Sequence, residues 1–93
     1  MKEPTLVLLL CLSHAGAQSL RETASAWVDH YARAYGVPTE FIKAVIDVES
    51  GWQPNVISTK GAVGIMQLTP PAAFTFGVTN RFRVDENIRG GVA

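Results

Sequence analysis

An all-α domain is predicted by three observations. Apolar residues recur at helical spacing over residues 20–35 and again over 42–49, and Pro, Gly and capping residues bracket each run. No Asn-Gly or Asp-Gly turn joins two alternating apolar runs, as a hairpin would require. With 93 residues, 47% of them hydrophobic and 17% charged, the chain suits one small domain and has neither a disordered nor a low-complexity composition.

The first residues read as an export signal rather than as fold. Lys2 precedes the apolar run Leu6 to Leu12, and Ala15, Gly16 and Ala17 satisfy the small-x-small cleavage rule. The run is much shorter than the roughly 20 residues of a spanning helix. Cleavage after Ala17 would leave 18–93 as the folded domain in an exported, periplasmic protein. Cys11, the sole cysteine, lies in that run and would leave with the signal peptide; Leu10 before it is too bulky for a lipidation site. The mature chain then has no thiol for disulfides, zinc-thiolate sites or nucleophilic catalysis. Eight basic residues balance eight acidic ones without forming a run or stripe, which argues against nucleic acid and anionic membrane surfaces as partners. Recognition by shape and hydrogen bonding is expected, with no metal and no cofactor.

The first helical segment opens with Ser19 and Glu22 at capping-box spacing. Leu20, Ala24, Trp27, Val28, Tyr31 and Tyr35 then form a stripe expected to face the core, and Gly36 and Pro38 end it. Pro38 suits the first turn of a second helix. In that helix Ile42, Val45, Ile46 and Glu49 share one face, while Lys43 and Asp47 form a solvated pair on another. Residues 51–64 read as an ordered loop and "IMQL" as a short apolar turn. Thr69 and Pro70 start a third helix that Gly77 closes, and "VDENIRGGVA" starts a fourth with Asp85 near its N-terminus.

Glu49 is the candidate for chemistry. A carboxyl group on an apolar stripe is desolvated, and the negative end of the helix dipole repels an anion; both raise its pKa and keep a proton on it. That is the state a general acid requires. The ordinary alternative is a helix-end carboxylate turned toward water or toward loop N–H groups, and a Ser such as Ser50 at a helix end is more often a local cap.

Three ordered blocks, "ESGWQPN" (49–55), "STKGAVGIMQLTP" (58–70) and "DENIRGG" (85–91), resemble the soluble lytic transglycosylase (SLT) domain family, related to goose-type lysozyme. The resemblance covers nearly all of the chain after Val37. It implies a lysozyme-like helical domain that cleaves peptidoglycan glycan strands, with Glu49 as catalytic acid/base and Ser50 helping to position the reacting sugar. Gly64 to Gln67 resembles the family's Gly-Leu-Met-Gln motif with Ile65 in place of Leu, which implies that Met66 and Gln67 line the saccharide groove. Asn87 falls at the family's Asn position as a further substrate-binding residue, with Gly90 or Gly91 allowing close helix packing. The implied reaction breaks the bond between N-acetylmuramic acid and N-acetylglucosamine and closes a 1,6-anhydro ring without water. Asp85 and Glu86 are nominal second carboxylates for a hydrolytic alternative. The family pattern continues into further helices and an Ala-Tyr-Asn block that these 93 residues do not contain, so a domain incomplete at its C-terminus is expected. The architecture also resembles the small transglycosylases of type III and type IV secretion and conjugation systems. A non-catalytic peptidoglycan-binding or secretion accessory role is the alternative.

Overall fold

The structure, a computed structural model, describes residues 20–93. The signal peptide expected over 1–17, Cys11 within it and the Ser19 cap lie outside the described residues. Among those described, helix α1 covers 20–35, α2 Thr39–Glu49, α3 Pro70–Thr75 and α4 Val84–Val92. Pairing of β type is confined there to isolated bridges, Ile57 with Val63 and Val63 with Leu68, so the domain is all-α. No helix among the described residues is long and apolar enough to cross a membrane.

The core is built from rows of residues four apart. On α1 the buried row is Ala24, Val28 and Ala32, and on α2 it is Ile42 and Ile46; Ile65 from the loop and Ile88 from α4 complete the cluster. Side chains four apart stack along one helix face, so each row presents one continuous ridge to its neighbours. The aromatic part of the predicted α1 stripe is displaced from this core. Trp27 and Tyr31 flank it half-buried, while Leu20 and Tyr35 are 74% and 48% exposed. Leu20 continues the buried row one turn past Ala24, where the described core has ended. Tyr35 belongs to the neighbouring row, in which Trp27 stacks on Tyr31 at 5.8 Å and Tyr31 meets Tyr35 at 6.2 Å. A smaller cluster of Leu68, Ala73 and Val78 packs α3 toward α4.

Glycine ends α1 and α3 in the same way, as predicted. Gly36 and Gly77 take the left-handed conformation at φ 68° and 65°, where a Cβ is disfavoured. The next N–H then reaches back five residues, Val37 to the Ala32 carbonyl at 3.0 Å and Val78 to the Ala73 carbonyl at 2.8 Å. Pro38 differs slightly from expectation. It sits at the N-cap of α2, one residue before the first turn, and its carbonyl accepts from Phe41 and Ile42. Thr69 caps α3 as predicted, its Oγ1 accepting from Ala72 N at 3.4 Å.

Candidate functional site

Glu49 is the last residue of α2 and is exposed, which corrects the buried position expected from its stripe. The reason is the row that the helix buries. Ile42 and Ile46 are followed, four residues on, by half-buried Ser50, so Ser50 takes the inward place. Glu49, three residues after Ile46, is turned to the flank with Val45 and Val48. Ala44, Val45, Val48 and Glu49 line a shallow open depression of about 430 Å³. Glu49 is the polar group of that apolar ledge, and Val48 on it is 83% exposed.

The expected Lys43–Asp47 pair is also corrected. Lys43 lies 3.9 Å from Glu40, and Asp47 accepts from the Trp52 indole Nε1 at 2.6 Å. Trp52 reaches Asp47 because the chain turns sharply after α2, with Gly51 at φ 58° and Trp52 itself at φ 69°. A non-glycine residue in that region is strained by roughly 1–2 kcal/mol and persists only where surrounding contacts hold it. Here the contacts are the Asp47 bond and the Arg21 guanidinium, 4.5 Å above the Trp52 ring and 3.9 Å from Asp47.

Ser50 binds main chain. Its Oγ donates to the Ile65 carbonyl at 2.6 Å and accepts from Trp52 N at 3.2 Å, tying the end of α2 to the 64–67 turn. That turn is closed by paired bonds of 2.9 Å between Val63 and Leu68. Gly64 enters it at φ 91°, and a Cβ there would collide with the Asn87 amide and the Arg81 carbonyl. Met66 is half-buried against the core. Gln67 stands at φ 56°, and its Nε2 donates to the Val56 and Gly64 carbonyls at 3.0 and 2.9 Å.

Asn87 is fully buried, which corrects its expected place as a residue touching substrate. Its Nδ2 donates to the Val63 and Arg81 carbonyls at 2.8 and 2.7 Å, and its Oδ1 accepts from Met66 N at 2.8 Å. All three bonds go to main chain that has no helix to satisfy it, which is what a buried side-chain amide is suited to do. Arg81 adds a second tie that the sequence did not reveal, donating from Nη1 to the Gly61 and Leu68 carbonyls at 2.7 and 3.0 Å. Its partners lie 20 and 13 residues away, and no local spacing marks it. Gly90 does allow close packing, as expected: a Cβ there would lie 2.6 Å from Val78 Cγ2.

The nominal second carboxylates serve the start of α4. Asp85 accepts from the Arg83 side chain at 3.1 Å, and that bond holds its carboxyl below the usual range. Glu86 accepts from Thr79 N at 2.9 Å and from Thr79 Oγ1 at 3.1 Å, and the main-chain bond leads in lowering its pKa. Both also lie in the first helical turn, where the dipole favours negative charge. Among the described residues no three His, Cys, Asp or Glu side chains cluster as a metal site would need.

The structure thus joins Ser50, the turn carrying Met66 and Gln67, and Asn87 in one hydrogen-bonded assembly, and it leaves Glu49 beside that assembly on an open ledge. Residues 26–93 match the family described as "Transglycosylase SLT domain". The chain is 51% identical over 45 residues to "Membrane-bound lytic murein transglycosylase F" of Shewanella sp. (strain ANA-3), a stretch covering 48% of this chain and 9% of that protein. It is 39% identical over 59 residues to "Transglycosylase" of Enterobacteria phage PRD1, covering 63% of this chain and 22% of the phage protein. To the transglycosylase F of Marinobacter nauticus it is 38% identical over 61 residues, 66% of this chain and 12% of the relative. The chain therefore spans less than a quarter of the length of each of these proteins. Because the family match spans residues 26–93, a range that includes Glu49, the 64–67 turn and Asn87, the chain belongs to the transglycosylase SLT domain family.

Proposed function

We propose that the protein is a peptidoglycan lytic transglycosylase in which Glu49 serves as both general acid and general base. The observation that carries this reading is the position of Glu49, an exposed carboxyl at a helix end, on an apolar ledge and next to a rigidly held turn. Sugar rings have apolar faces and polar edges, so such a ledge can take the face of a glycan while the carboxyl meets its bridging oxygen.

The chemistry uses one carboxyl group twice. Protonated Glu49 donates to the oxygen between N-acetylmuramic acid and N-acetylglucosamine, and the bond from that oxygen to the muramic anomeric carbon breaks. The acetamido oxygen of the same muramic acid stabilises the resulting cation, as in substrate-assisted glycosidases. Ionised Glu49 then takes the proton of the C6 hydroxyl, whose oxygen closes the 1,6-anhydro ring on the anomeric carbon. The proton is returned, and no water is consumed. Asp85 and Glu86, engaged with Arg83 and Thr79, are poor candidates for a second catalytic carboxylate.

In this reading residues 1–17 direct export and peptidoglycan strands are the substrate. Association with a type III or type IV secretion or conjugation apparatus belongs to the same reading through the architecture it resembles. Met66 and Gln67 would line the groove from the turn. Digestion of purified peptidoglycan followed by mass analysis tests the reaction. Anhydromuramic ends that vanish in Glu49→Gln are expected. Reducing ends would make the enzyme a hydrolase, and an absence of products alongside wall binding would make it a non-catalytic binding protein.

A further inference from the structure

Two of the bonds described above meet on one peptide unit. The Ile65 carbonyl accepts from Ser50 Oγ at 2.6 Å, and the Met66 N–H of the same peptide donates to Asn87 Oδ1 at 2.8 Å. The peptide is therefore gripped from α2 on one side and from α4 on the other. Ile65, only 1% exposed, anchors it in the core as a third point. Ser50 is covalently next to Glu49, while Met66 and Gln67 follow the gripped peptide directly. The main chain that carries Glu49 is thus held against the turn through one planar group with no rotatable bond across it.

We infer that Ser50 and Asn87 are positioning residues, acting through the Ile65–Met66 peptide rather than by touching glycan, and that they set the register of the 64–67 turn against Glu49. The inference rests on the proposed transglycosylase reading. A small misplacement of a catalytic group costs turnover far more than binding. Residues that hold geometry should therefore show themselves in kcat, whereas a residue that binds the sugar uniformly shows itself in KM.

The test uses the full chain with a soluble glycan-strand substrate, well below the melting temperature of every variant, with rates normalised to folded protein. Ser50→Ala is expected to lower kcat roughly ten- to a hundred-fold, with KM changed by less than about three-fold. It should also speed hydrogen exchange of the Met66 amide, and Ser50→Thr, which keeps the hydroxyl, should restore most of the rate. Asn87→Ala should reproduce the loss of kcat, and if it does not fold the Ser50 variants decide alone. Unchanged kcat in folded Ser50→Ala, or a loss confined to KM, overturns the inference. Glu49→Gln separates the two levels: if it remains active, the transglycosylase reading itself has failed, whereas an inactive Glu49→Gln beside a fully active Ser50→Ala sinks only the positioning role.

Discussion

The ledge of α2 and the 64–67 turn lie on either side of the Glu49–Ser50 bond, and they are built in opposite ways. The ledge is regular helix on which Ala44, Val48 and Glu49 are exposed and Val45 is half-buried. The turn has no regular structure, yet Ser50, Asn87, Arg81 and the Gln67 amide each bind its main chain or that of its flanks. Order here comes from where main-chain hydrogen bonds go rather than from helix or strand. The difference teaches that, in the proposed mechanism, reactivity and support sit on adjacent residues, with Glu49 carrying little of the fold and Ser50 little of the chemistry.

Substitutions in the turn should break the fold before they break the chemistry. The largest stability effect is expected for Asn87→Leu, which leaves two main-chain groups, the Met66 N–H and the Arg81 carbonyl, without their partner, while the Val63 carbonyl keeps its bond from Leu68 N. At about 1–3 kcal/mol for each unsatisfied buried group, a loss of roughly 4 kcal/mol is a large part of what a small domain has. Thermal or urea melts would check it, and a shift of less than about 1 kcal/mol would contradict the clamp. Gly64→Ala follows at roughly 3 kcal/mol, since it combines a left-handed backbone with a collision against Asn87 and Arg81.

The ledge should behave in the reverse sense. Val48→Ser, at a site 83% exposed, is expected to change stability by no more than about 0.5 kcal/mol. It should nevertheless weaken glycan binding, read as a higher KM, because it makes the apolar ledge polar. Acid provides the smallest effect. Asp85 and Glu86 have lowered folded-state pKa values, so their contribution is present above the ordinary carboxylate range and is lost as pH falls from about 4 through those lower values. Both groups are close to solvent, so the loss should be shallow. Melting temperatures across that range should decline less steeply in Arg83→Gln, which removes the main partner of Asp85.

Much of this architecture was legible in the residues. The helix ends at Gly36 and Gly77 and the Thr69 cap follow from local chemistry that acts over a few positions, while close packing at Gly90 or Gly91 followed from the motif they share with the family. What stayed hidden depends on contacts between distant segments. Glu49 and Ser50 differ by one helical step, and only the packing of Ile65 and Ile88 beside Ile46 decides which of them turns inward. Asn87 was identified as a site residue from its motif, but its burial depends on carbonyls 24 and 6 residues away. Arg81 gave no signal at all, because an arginine in a polar loop ordinarily faces water.

In the proposed mechanism the chemistry rests on Glu49 while the fold does not. Measuring turnover and melting temperature on the same preparation of Glu49→Gln tests it most directly. The expected result is loss of anhydromuramic product by about 10³-fold or more with a melting temperature within roughly 2 °C of wild type. Product release at the wild-type rate, or a variant that unfolds, would contradict it.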